Sequence, residues 1–122
     1  MHESLTLTTK GGKDAPARVR TALRALNGGL GEKSKDVRLL ATELVANAVT
    51  HAGVGHEGFL TFGLLATQDK IKATLEYPGE PFTPRLQPED RHFGLYLVDN
   101  LSDSWGIERA DDKNRVWFEI TR

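Results

Sequence analysis

The chain has 122 residues, 39% hydrophobic and 27% charged. That size and balance suit a single domain over 1–122 whose one core hides roughly two-thirds of the surface its unfolded chain exposes. Its net charge of −1, with basic residues scattered among acidic ones, argues against a direct nucleic-acid partner, which needs clustered Lys and Arg. With no cysteine there are neither disulfides nor thiolate zinc sites, no apolar run nears the ~20 residues that cross a bilayer, and MHESLTLTTK lacks a signal-peptide core, so the expected setting is cytoplasmic with no membrane partner.

Taken in chain order, Leu5 and Leu7 alternate with threonines and predict a strand over 4–9, ended by Gly11-Gly12. Asp14 before Pro16 opens a helix with Val19, Leu23 and Leu26 at helical spacing; Asn27-Gly28-Gly29 interrupts it and leaves Leu30 just beyond. Ser34 or Asp36 caps a second helix that runs to Ala52, with Gly53 as its left-handed terminator. Residues 59–67 and 70–77 form a hairpin around a polar turn, and Ile71, Ala73, Leu75 and Tyr77 alternate as in a half-buried strand. The stretch YPGEPFTPRLQPEDRHFG, residues 77–94, holds four of the five prolines and is a loop long enough to be functional. A third helix follows over 94–102 with Leu95, Val98 and Leu101 inward, then a hairpin from Trp105-Gly106-Ile107 to 116–120 across Asp111-Asp112. Strands and helices do not alternate strictly, which predicts an α+β two-layer sandwich, a mainly antiparallel sheet covered on one face by helices.

The second helix carries ELVANAVTHAG, residues 43–53. At about 100° per residue, Glu43, Asn47 and His51 fall on one stripe about 80° wide, while the rest of the helix is apolar nearly all round. A buried carboxylate and amide without partners cost several kcal/mol, so something should meet the stripe. Three readings stand open. The stripe faces water at the edge of the layer; or His51, His56 and Glu57 capture a metal, although their spacing matches no helical ligand pair; or it serves magnesium and phosphate chemistry. In the last, an amide oxygen suits a hard cation that keeps most of its waters, and a carboxylate one turn away can orient or deprotonate a hydroxyl. Pro78-Gly79 lets backbone approach a flat ligand, and Phe93-Gly94-Leu95 opens a helix whose free N–H groups suit phosphates.

Glu43 to Ala52 resembles the N-box of the GHKL (histidine-kinase-like) superfamily of ATP-binding domains. Gly94-Leu95-Tyr96-Leu97-Val98, with Leu101 and Trp105-Gly106, resembles its second glycine motif and following helix. Val116 to Ile120 resembles its closing strand, and APARVR near residue 15 its first helix. More narrowly the chain is similar to bacterial anti-sigma regulatory factors, serine kinases acting on anti-anti-sigma (STAS) proteins. The resemblance implies a Bergerat-type fold, a mainly antiparallel mixed sheet under three helices. It also implies ATP and Mg2+ as cofactors, a sigma factor or STAS-domain protein as partner, and a homodimer. Under it Asn47 holds magnesium against the phosphates and Glu43 is base or orienter for a serine hydroxyl. His51, Tyr77, Gly79, Phe82, Arg91, Gly94 and Leu95 then surround the nucleotide, beneath a lid over 83–93 that offers Arg85 and Arg91. Four departures accompany the match. Tyr77 stands where the family has the aspartate that reads the adenine amino group, and Glu76 next door belongs to the opposite strand face. His92-Phe93-Gly94 thins the second glycine motif. Arg115 takes the place of a small hydroxyl residue beside the nucleotide, and the lid is short. The alternative they leave is a non-catalytic module of the same fold that grips a sigma factor or STAS partner without productive ATP binding.

Overall fold

A computed structural model describes residues 3–51, 55, 57–79 and 94–122. Strands β1 (Glu3–Lys10), β2 (Phe59–Ala66), β3 (Lys70–Pro78), β4 (Ser104–Ala110) and β5 (Lys113–Thr121) form one sheet in the order β1-β2-β3-β5-β4. All four neighbouring pairs are antiparallel, so among the described residues the sheet is not mixed. The reason is placement. β4 runs in the same direction as β3, but its hairpin mate β5 sits between them and pairs with both.

Helices α1 (Ala15–Arg24), α2 (Asn27–Leu30), α3 (Ser34–His51) and α4 (Gly94–Leu101) cover one face of that sheet, with a 3-10 turn over Gly31–Lys33 leading into α3. Ala15, Val19 and Leu23 repeat every fourth residue and form the buried stripe of α1. Alternate strand residues Leu60, Phe62 and Leu64, Ile71, Ala73, Leu75 and Tyr77, and Val116, Phe118 and Ile120 meet that stripe and Val37, Leu40, Ala41, Leu44, Val45 and Ala48 of α3. Each large aliphatic or aromatic side chain so buried stabilises the fold by roughly 1.5–3 kcal/mol relative to exposure. The α+β two-layer sandwich expected from the sequence is the fold observed. No helix among the described residues is long and apolar enough to cross a membrane.

One local expectation changes. The first helix stops at Arg24, with Leu30 beyond it, but Asn27-Gly28-Gly29 is not irregular: with Leu30 it makes the short helix α2, in which the Leu30 side chain is fully buried. Tertiary burial here outweighs the low helix propensity of two glycines. The second helix is described as far as His51, and its expected end at Ala52 with Gly53 as terminator lies outside the described residues.

The outer sheet face is mixed, with Phe59 and Leu65 exposed on β2 and charged residues on β3 and β5. Arg115 lies 3.3 Å from Glu76 and 3.5 Å from Glu108, and the Lys72 ammonium sits 4.9 Å from the Trp117 ring centroid. The Trp117 ring covers Gly106 so closely that a Cβ there would fall 2.8 Å from its indole nitrogen. Exposed pairs of this kind contribute at most about 1 kcal/mol each.

Chain direction sorts the element ends into two groups. At one end the Thr67–Lys70 turn, Arg122 and α2 are joined: the Arg122 guanidinium donates to the carbonyls of Thr67 (2.9 Å) and Gly29 (2.7 Å). α3 therefore begins at this turn end and runs about 27 Å along the sheet to the other. α4 finishes at the turn end, where Asp103 N–H donates to the Glu119 carbonyl, so it begins at the opposite one. That opposite end, the loop end, also holds the start of β2, the ends of β3 and β4 and the start of β5, through the pairings Thr61 with Glu76, Tyr77 with Asn114 and Ala110 with Lys113.

Candidate functional site

The loop end gathers the polar residues of α3, β3 and β5 between the two layers. Asn47, one turn before the end of α3, is 2% exposed, and its carboxamide Oδ1 is buried with no hydrogen-bond partner. Glu43, one turn earlier, is half-buried and already engaged in an interaction. Leu39 and Thr50, farther round, are exposed, so the stripe marks the border of the buried arc and not an outer face. This rules out the water-facing reading for Asn47. His51 is the last residue of α3, and its side chain falls outside the description.

Across the interlayer space Tyr77, the penultimate residue of β3, is 1% exposed and its hydroxyl also lacks a partner. Burial disfavours the phenolate and pushes the Tyr77 pKa up to about 12. Glu76 faces the other way and pairs with Arg115, as strand alternation requires. Gly79 follows in a left-handed conformation (φ 133°) that favours glycine. Its carbonyl accepts a hydrogen bond from the Arg109 guanidinium, which also reaches Asn114 Oδ1 at 3.3 Å.

Arg115 is a correction. It was expected beside the nucleotide, but Val116, Phe118 and Ile120 point inward, so Arg115 lies on the outer face and the fully buried Asn114 occupies the inner one, paired with Tyr77. The same alternation was legible in the sequence, and it would have singled out Asn114. Arg109 carried no comparable signal, because only the β4–β5 register brings it to Gly79.

Gly94 opens α4 as expected, at the loop end, while the side chain of Leu95 is not described. Phe82, Arg85 and Arg91, the lid over 83–93 and His92-Phe93 lie outside the described residues. A hollow of about 320 Å³ at this end is lined by Phe59, Thr61, Glu76, Tyr77, Pro78 and Lys113 among others, most of them outward-facing strand residues, and Asn47 is not part of its lining. The third buried atom without a partner, Thr42 Oγ1, lies about 140° round α3 from Asn47 and belongs to a different surface.

The histidine kinase-like ATPase domain family matches residues 13–120, from the residue before Asp14 to the last buried residue of β5, and the chain belongs to that family. ATP binding is the function that membership supports. No curated protein matches the chain. The residues present fit a magnesium ion at the α3 side: a buried neutral oxygen without a partner is the kind of donor a hard cation uses beside its waters. At β3 the fit to an adenine carboxylate fails, since the inward group is a neutral phenol.

Proposed function

We propose that this domain is an anti-sigma-type regulator, binding MgATP and acting as a protein serine kinase on a STAS-domain anti-anti-sigma partner while sequestering a sigma factor. The observation that carries the reading is the partnerless, buried Asn47 Oδ1 one helical turn from Glu43. Magnesium, when bound, neutralises phosphate charge, and Asn47 would hold it. Glu43 would orient the serine hydroxyl and take its proton; phosphoryl transfer through a loose transition state asks for positioning more than for a strong base. The start of α4 would receive phosphate oxygens on its free N–H groups.

A second reading, a non-catalytic module that grips a sigma factor or STAS protein, is favoured by one observation: Tyr77 fills the base-reading position and, among the described residues of β3 and β5, no inward carboxylate replaces it. Titration of MgATP and MgADP into the purified domain separates the two. Nucleotide at a hundred times its dissociation constant adds ~2.7 kcal/mol of stability and raises the melting temperature by several degrees. No shift at millimolar MgATP would leave the binding module standing. Recovery of tagged protein with neither a sigma factor nor a STAS-domain protein would end both.

A further inference from the structure

Resting on the nucleotide reading above, we infer that Tyr77 makes purine recognition at this site permissive, so that 6-oxo and 6-amino nucleotides bind comparably. Three observations converge. Tyr77 is the last buried residue of β3 before the exposed Pro78-Gly79 bend, and its ring tip carries a hydroxyl without a partner. Buried tyrosine hydroxyls usually find a partner, and an unpaired one is a standing penalty that a bound group would relieve. Next, the inward polar groups at this end of β3 and β5 are a phenol and the Asn114 amide, both neutral, because Glu76 and Arg115 pair with each other on the far face. Last, Gly79, two residues beyond Tyr77, has its carbonyl held by Arg109 and only open space where a Cβ would stand, so the backbone there is free for a flat ring to approach.

The chemistry of the hydroxyl sets the selectivity. An ionised carboxylate only accepts, so it takes the 6-amino hydrogen of adenine and repels the 6-carbonyl of guanine. A phenol both donates and accepts, and by rotating its O–H it matches the amino donor of one purine or the carbonyl acceptor of the other. The Tyr77 proton is retained throughout the physiological range, so the donor is always present. Among the described residues at this end of β3 and β5 the group that would reject the wrong base is thereby absent, and strong discrimination requires such a group.

Calorimetric titration of MgATP, MgGTP and magnesium tripolyphosphate into the full chain tests this. Wild type should bind the two nucleotides within about tenfold of each other, and Tyr77→Phe should weaken both by about tenfold while leaving tripolyphosphate unchanged. Tyr77→Asp, if it folds, should restore a preference for ATP. A wild-type preference for ATP above about a hundredfold, or a Tyr77→Phe variant with unaltered nucleotide affinity, overturns the inference while the phosphate site stands. Failure of all three probes to bind overturns the nucleotide reading itself, and this inference with it.

Discussion

The two ends of the sandwich are built from the same sheet and helices, yet they treat polar groups in opposite ways. At the turn end polar atoms close on one another: Arg122 holds the carbonyls of Thr67 and Gly29, Ser104 donates to Glu119, and the Thr121 N–H donates to the Asp103 carboxylate. At the loop end Asn47 Oδ1 and the Tyr77 hydroxyl are sealed from water with nothing to bond. Saturated groups hold a fold in one shape; unsaturated ones in a dry place are reserved for something that arrives. Thr42 Oγ1, midway along α3, is buried without a partner as well, so the contrast supports the loop end as the candidate site only together with the motif residues found there.

The comparison can be tested by substitution, and the largest effect belongs to Asn47→Asp. A carboxylate placed at that buried, partnerless position should lower stability by about 3–5 kcal/mol at pH 7 in chelator, and millimolar magnesium should recover a substantial part in a denaturant titration. No recovery would mean that the position does not face a cation.

Alkaline pH gives the next largest. Below pH 10 both the folded and unfolded chains keep the Tyr77 proton, so it adds no pH dependence. Between pH 10 and about 12 the unfolded chain ionises while the folded one stays neutral, and stability should fall by up to about 2.7 kcal/mol before levelling. Tyr77→Phe should remove that slope. It should also raise the melting temperature at neutral pH, because it deletes an unpaired buried hydroxyl worth about 1–3 kcal/mol of penalty. A lower melting temperature would show that the hydroxyl has a partner after all.

The smallest change is expected at the turn end. The Thr121 backbone N–H bond lowers the Asp103 pKa below its usual value, so this carboxylate adds stability above the ordinary carboxylate range and loses it on acidification. Asp103→Ala should lower the melting temperature slightly at neutral pH, flatten the acid limb, and leave ligand titrations unmoved.

Much of this architecture was readable in the chain. Alternation of Ile71, Ala73, Leu75 and Tyr77 placed both the strand and its inner face, and the 100° spacing of Glu43 and Asn47 put them on one stripe at the edge of the core. Hidden from that reading were features set by pairing between distant segments. Burial of Leu30 turns a glycine-rich interruption into a helix, and the β4–β5 register delivers Arg109 to Gly79 from thirty residues away. Arg115 was misplaced for a different reason: likeness to a family position outweighed the period-2 pattern that its own neighbours display.

One more property follows from α3 serving two masters. Leu40, Leu44 and Ala48 anchor it in the core while Asn47 and Glu43 ride on the adjoining side of the same rod. At a radius of about 5–6 Å, a roll of only 10° about the axis sweeps a side chain by about 1 Å, a displacement that can cost a hundredfold in a positioned reaction. Enlarging Ala41 or trimming Val37, well away from any ligand, should therefore register as a loosened grip long before it registers as melting.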